Sequence, residues 1–299
     1  MKAFICALAL ALPVALHAET VPVTTAAGEV QAPHLPASTI ALDLAAIDTL
    51  TALGVTIAGR PDITPPAYLT QAMADIPTVG TLFEPDFEAL AAAAPALIIA
   101  GGRSQAQVEP LSRVAPTLDM TIGDGDLFEQ ANARIDAYGA IYDKTAEAEA
   151  LKTQLQADLD AAKAAADGKG NALILLTNGG KISAYGTNSR FGWLHSALAL
   201  PEAVADLQAD THGEGVSFEF VADANPDWLL VIDRGAAVGQ GGEAAAATLD
   251  NPLIAGTTAG KAGQIVYLDG SAMYLAGGGV QSLTGALKQL TQAFGGAGS

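Results

Sequence analysis

The chain has six arginines, Arg60, Arg103, Arg113, Arg134, Arg190 and Arg234, in a sequence whose formal net charge is −18. Two of them close a passage that occurs twice. The first copy runs from Phe87-Glu88 through four alanines to Pro95, then Leu97-Ile98-Ile99 and Arg103. The second runs from Phe218-Glu219 to Asn225-Pro226, then Trp228-Leu229-Leu230-Val231-Ile232 and Arg234. Glutamate to proline is seven residues in both copies, and glutamate to arginine is fifteen. Each copy reads as a short helix, a proline stop, a buried strand and a loop carrying an arginine. A guanidinium is permanently charged and presents a planar fork of donors, which suits phenolate, carboxylate or phosphate oxygens. Arg190 lies in a comparable loop, Gly186 to Gly192, after another strand. One loop arginine alone is a solvated surface charge; three at strand ends, in an acidic chain, point to capture of a compact anionic small molecule. Arg60 also follows a strand, but nothing pairs it with the others.

Fewer residues offer other chemistry. His212 sits in the glycine-rich loop Asp210-Thr211-His212-Gly213-Glu214-Gly215, and Tyr274 stands just before Gly277-Gly278-Gly279. Singly they read as a solvated histidine and a packing tyrosine. As a pair they would offer nitrogen and phenolate oxygen to a hard cation such as Fe(III). Glu88 and Glu219, at matched positions of the repeat, are either ordinary solvated helix positions or one acidic knob per lobe for a symmetric partner. Enzyme signatures are missing: Gly101-Gly102-Arg103-Ser104 lacks the lysine and spacing of a phosphate loop, and there is no nucleophile elbow or HExxH. The glycine runs read as tight turns, or as places where backbone approaches a bulky ligand.

The elements that must position these residues follow from periodicity. Residues 1–18 carry one lysine and then an apolar run, the pattern of a secretory signal peptide cleaved near Ala18. The single cysteine, Cys6, lies inside it, so the mature chain has no disulfide or thiolate metal site. The acidic surface disfavours nucleic acid and anionic lipid. Residues 19–37 form a lead-in with one edge strand. Helix and strand then alternate: helix 43–53, strand 55–58, extended 78–80, helix 86–94, strand 96–100, helix 106–113, extended 117–119 and helix 126–141. Residues 145–167 predict a helix of about six turns, with Ala148, Leu151, Leu155, Leu159 and Ala162 on one side. Alternation resumes with strands at 172–176 and 181–184, a helix from Trp193, the repeat copy, a strand at 264–268, a loop through Tyr274 and a final helix 280–294. The expected fold is α/β, two Rossmann-like lobes with central parallel-type sheets joined by a single long helix. Its divisions are signal peptide 1–18, N-terminal lobe 19–144, linking helix 145–168 and C-terminal lobe 169–299.

Three segments are similar to one family. They are Tyr185-Gly186-Thr187-Asn188-Ser189-Arg190-Phe191-Gly192; His212-Gly213 with Val216-Ser217-Phe218-Glu219-Phe220; and Asn225-Pro226-Asp227-Trp228 through Val231-Ile232-Asp233-Arg234-Gly235. With Leu249-Asp250-Asn251-Pro252-Leu253 and Tyr274-Leu275-Ala276-Gly277-Gly278-Gly279, they resemble the periplasmic iron–siderophore binding proteins of ABC importers, in the catecholate branch. The resemblance covers nearly the whole mature chain and implies a class III binding protein whose lobes are joined by the helix at 145–167. It implies that Arg103, Arg190 and Arg234 line a basic cleft for an anionic ferric complex. His212 and Tyr274 would complete the Fe(III) shell when the siderophore supplies four donors. Glu88 and Glu219 would dock onto the permease.

The reading is therefore a periplasmic, monomeric, non-enzymatic binding protein. It has no intrinsic cofactor, takes a ferric catecholate siderophore as cargo and has an ABC permease as partner. Haem, cobalamin or another metal chelate is the alternative cargo, and an exported α/β enzyme the third reading. A rigid helix between the lobes implies small closure rather than a wide hinge swing.

Overall fold

The computed structural model describes residues 19–207, 213–239 and 244–296. Residues 1–18, expected to be a signal peptide, with Cys6 among them, and His212 lie outside the described residues. In chain order the strands are β1 (Thr20–Thr25), β2 (Gly28–Pro33), β3 (Thr39–Ala41), β4 (Leu97–Ala100), β5 (Thr117–Asp119), β6 (Ala172–Asn178), β7 (Lys181–Tyr185), β8 (Glu214–Val216), β9 (Trp228–Asp233) and β10 (Ile265–Leu268). The helices that matter to the site are α1 (Leu44–Ala52), α2 (Phe87–Ala93), α3 (Leu127–Ile141), α4 (Thr145–Ala166), α5 (Phe218–Ala224), α6 (Gly270–Leu275) and α7 (Val280–Gly296).

Each lobe is built on the same parallel triplet. In the first, β4 lies between β3 and β5; in the second, β9 lies between β6 and β10. The repeat read from sequence holds down to backbone conformation. Asp86 and Ser217 cap α2 and α5 through their side chains, each cap contributing about 1 kcal/mol. Both helices then end on a left-handed residue, Ala94 at φ 45° and Asn225 at φ 43°, just before the proline. The buried strands β4 and β9 follow.

Several expectations need correction. The lead-in at 19–37 is a two-stranded antiparallel hairpin, β1–β2, not one edge strand. Residues 55–58 form no regular strand; Gly59 and Arg60 make only single bridges to Ile40 and Thr78. The stretch at 106–113 is divided between a 3-10 turn, Gly102–Gln107, and a short helix, Val108–Leu111. The second sheet is mixed, because β7 runs antiparallel to β6, and β8 antiparallel to β7, beside the parallel triplet. Tyr274 lies on the short helix α6, not in a loop.

The long helix is present and buries Ala148, Leu155, Ala162 and Ala166, with Leu151 and Leu159 half-buried. It does not act alone. The last helix, α7, packs along it and also touches α1 of the first lobe. One continuous apolar core includes Leu44 and Ile47 of the first lobe, Leu155 of α4, Ile174 and Leu230 of the second lobe, and Leu287 of α7. Two separate clusters, around Ile98 and around Leu229, fill the outer faces of the two sheets. A core shared between lobes resists independent movement, since packed interiors deform little.

Ala94 is exposed and holds a left-handed conformation that costs an L residue about 1 kcal/mol. Ala94→Gly is expected to raise stability by roughly 0.5–1 kcal/mol. The urea midpoint at unchanged slope is the measurement, and a lowered midpoint would contradict the assignment.

Candidate functional site: a guanidinium cluster on Tyr274

The strands deliver the site. β4 ends at Ala100, and the chain turns through Gly101 and Gly102, where Ser104 Oγ exchanges hydrogen bonds with both backbone groups of Gly101 at 3.0 Å. Gly102 takes φ +52°, and Arg103 follows. β9 ends at Asp233, whose carboxylate caps the next turn by accepting from Ala236 N, so Arg234 is held at the end of the strand. The neighbouring strand β10 runs into Asp269, which caps α6 and so places Tyr274 beside Arg234. Ends of adjacent parallel strands are where an α/β sheet places its ligands. Arg190 arrives differently. β7 runs against its neighbours, and the loop after it carries Phe191 onto Tyr185 and Trp193 onto Phe128 of the first lobe.

Three arginines meet at one tyrosine. Arg103 and Arg190 each donate from Nη2 to the Tyr274 carbonyl oxygen, at 2.9 and 3.1 Å. Arg234 donates from Nε to the Tyr274 hydroxyl at 3.0 Å and from Nη1 to Asn178 Oδ1 at 3.1 Å. The guanidinium carbons lie 4.7 Å (Arg103), 4.6 Å (Arg190) and 5.5 Å (Arg234) from the centre of the Tyr274 ring, within cation–π range. Arg190 also lies 4.8 Å over the ring of Phe191. Burial raises the Tyr274 pKa, but the hydrogen bonds and charges of Arg234 and then Arg103 outweigh it, and the phenol ionises below its ordinary range.

Arg103, Arg190, Arg234 and Tyr274, chosen from the sequence, are thus brought together. His212 lies outside the described residues; its neighbour Gly213 packs so closely on the Tyr185 ring that a Cβ would come within 2.5 Å. Arg60 is elsewhere, donating to the carbonyls of Met73 and Pro61. Glu88 and Glu219 are exposed in the first turns of α2 and α5. The sequence reading passed over Asn178, Phe191 and Asp43. Asn178 ends β6 before a glycine pair, and Phe191 is simply the next residue after Arg190. Asp43 is the cap of α1, half-buried, with its Oδ1 within 3.4 Å of where a Cβ on Gly102 would lie. Burial pushes its pKa up to about 6, against its backbone hydrogen bonds and the charges of Arg103 and Arg134. The capping position carried that signal. Among the described residues, no group of three or more His, Cys, Asp or Glu could hold a metal ion.

Residues 40–272 match the family described as Periplasmic binding protein. The chain belongs to that family. This periplasmic binding protein is 33% identical over 262 residues to the petrobactin-binding protein YclQ of Bacillus subtilis (strain 168), covering 86% of this chain and 82% of the relative. The crystal structure of YclQ superposes with a TM-score of 0.86 at 31% identity, covering 92% of this chain and 99% of the other. The ferric-anguibactin-binding protein FatB of Vibrio anguillarum (strain ATCC 68554 / 775) is 30% identical over 263 residues, covering 86% and 82%. The periplasmic catecholate-siderophore binding protein VctP of Vibrio cholerae superposes at TM-score 0.83 with 28% identity, covering 93% and 100%. Two α/β lobes with long connecting helices are the class III arrangement of such proteins.

If Arg234 depresses the Tyr274 pKa, Arg234→Gln moves the ionisation back up. 13Cζ-tyrosine NMR, with Tyr274→Phe assigning the resonance, reads this directly. An unmoved titration would remove Arg234 as the cause.

Proposed function

We propose that this binding protein captures a ferric siderophore of catecholate type and passes it to the permease of an ABC importer. The observation that carries the reading is the convergence of Arg103, Arg190 and Arg234 on Tyr274. A ferric catecholate complex is a compact anion whose oxygens accept charge-assisted hydrogen bonds and whose rings offer π faces to guanidinium groups. Three cations on one small surface match that chemistry better than they match a large, mostly apolar macrocycle. The relatives that bind petrobactin and ferric anguibactin support the cargo class.

In this reading a siderophore with four donors leaves two positions on iron, to be filled by the Tyr274 phenolate and the His212 imidazole. The depressed Tyr274 pKa favours the ligating form. Because a proton must leave the phenol, that contribution weakens as pH falls. Glu88 and Glu219 serve as the permease-docking pair. Glu88 has an apolar border, with Phe83 61% exposed and Phe87 38% exposed close by in the chain. The mature protein begins near residue 19 and works in the periplasm.

Titration with ferric petrobactin and with a ferric tris-catecholate, followed by tryptophan fluorescence and the iron charge-transfer band, tests the cargo. Micromolar or tighter quenching is expected, and Arg234→Ala weakens it roughly 10- to 100-fold, the value of a charge-assisted hydrogen bond. No quenching by either complex, or tighter binding of haem or cobalamin, overturns the assignment. For direct ligation, Tyr274→Phe must change the charge-transfer band of the complex with a ferric bis-catecholate that supplies four donors; an unchanged band refutes it. Glu88→Gln with Glu219→Gln is expected to bind ferric petrobactin normally in solution while cellular iron uptake falls, and normal uptake would refute the docking role.

A further inference from the structure

The chain that follows Tyr274 is fastened to the opposite lobe. Asp48, on α1 of the first lobe, is 0% exposed. Its Oδ1 accepts from Gln281 N at 2.7 Å, and its Oδ2 accepts from Ser282 N at 3.0 Å and from the Tyr68 hydroxyl at 2.6 Å. Thr49 Oγ1 accepts from Val280 N at 3.3 Å, and Gln281 Nε2 donates to the Asp48 carbonyl at 2.7 Å and to Thr51 Oγ1 at 3.1 Å. Residues 280 to 282 are the first turn of α7, where N–H groups have no partner within the helix. A helix of this length ordinarily takes its cap from the preceding residue. Here that residue is Gly279, and the cap comes from α1, 233 and 234 positions earlier in the chain.

The three glycines before α7 make this possible. A Cβ on Gly279 would stand 2.5 Å from Asp48 Cγ, and one on Gly278, at φ +91°, would stand 2.1 Å from Ile122 Cδ1 of the first lobe. A Cβ on Gly277 would stand 2.9 Å from the Met273 carbonyl oxygen. Of the two expectations for this run, a tight turn or close approach to a ligand, the structure shows a tight turn whose backbone lies against the other lobe. The same turn is tied back to the site, because Ser282 Oγ donates to the carbonyl oxygen of Ala272 at 2.9 Å, on the helix that carries Tyr274. A continuous path therefore runs from Asp48 through Ser282 to Ala272 and Tyr274. At the other end of that path, Arg103 reaches across from the first lobe to the Tyr274 carbonyl.

We infer that Asp48 is a positioning residue for the ligand site, capping α7 from the opposite lobe so that α6 holds Tyr274 within reach of Arg103. The role rests on the ferric-siderophore reading for its effect on affinity, but not for its effect on Tyr274 itself. Asp48→Asn keeps the volume and puts an amide NH2 where one backbone N–H now donates. Tyr68→Phe removes a single donor to the same carboxylate and leaves both backbone bonds. Burial raises the pKa of Asp48 to about 7 against the bonds from Tyr68, Gln281 and Ser282, so affinities are measured at pH 8, where the carboxylate predominates.

Three quantities are read on the full mature chain: the urea midpoint, the 13Cζ titration of Tyr274, and the affinity for ferric petrobactin. Asp48→Asn is expected to fold, to move the Tyr274 titration upward and to weaken ferric petrobactin at least tenfold, with Tyr68→Phe shifting both in the same direction by less. A folded Asp48→Asn whose Tyr274 titrates as in wild type overturns the inference, even if its stability has dropped, because that is a purely structural effect. If Asp48→Asn does not fold, Tyr68→Phe decides, and an unmoved titration overturns the inference. If the wild type binds no ferric petrobactin, the cargo reading fails while the Tyr274 titration still decides the role of Asp48.

Discussion

Like charges gathered in one place repel, and the arginine cluster of this protein is organised around tolerating that repulsion. Half of its arginines converge on Tyr274. The carbonyl oxygen of that residue draws two guanidinium groups together, and its hydroxyl and ring face receive the third. Compensation is partial. Desolvation and then the charge of Arg103 lower the pKa of Arg190, with its contacts to Tyr274 opposing both. In the proposed function, a cluster left with excess positive charge inside a strongly acidic protein would attract a compact anion by Coulomb forces that act before contact. The cost of assembling the cations is met at folding, so the groups need little rearrangement when an anion arrives.

The scaffold that carries this cost is a duplicated one used unequally. Both lobes contain the parallel triplet and the helix–proline–strand–arginine passage, and both arginines emerge at strand ends. The first lobe supplies only Arg103 to the cluster. The second supplies Arg190, Arg234, Tyr274 and Asn178, two of them by routes absent from the first lobe: the loop after antiparallel β7 and the helix α6. Symmetry of fold thus coexists with a one-sided site. The lobes share a core and a second long helix, which keeps the single arginine from the first lobe in register with the rest.

What was legible in the sequence was local. The repeat could be read because its caps, its left-handed turn and its proline lie within one short stretch, and the long helix because alanine-rich periodicity needs no tertiary context. Arg103, Arg190 and Arg234 stand out through their scarcity and spacing, and Tyr274 only through the family resemblance. The failures have a common cause. Residues 55–58 have strand-like side chains but form no bridge, the single bridges falling on Gly59 and Arg60 just after them, and β7 has an apolar pattern that does not reveal its direction. Tyr274 reads as a loop residue because a six-residue helix between a strand and a glycine run offers too little periodicity to announce itself. Asp48 reads as one more polar position on α1; its backbone partners on α7 lie more than two hundred residues away, and nothing in its neighbourhood names them.

The distance between Asp48 and its partners bears on how the molecule comes into being. A polypeptide is made from its N-terminus, so α1 exists long before α7 does. Until the last twenty or so residues emerge, Asp48 has no backbone donors from α7, and the apolar faces that receive Leu283, Leu287 and Leu290 stand open to water. Contacts of such sequence separation form late because the loop they close is large. The surroundings of Tyr274 are therefore among the last features of the molecule to take shape, since the turn of α7 that bonds both Asp48 and the Ala272 carbonyl arrives late in the chain.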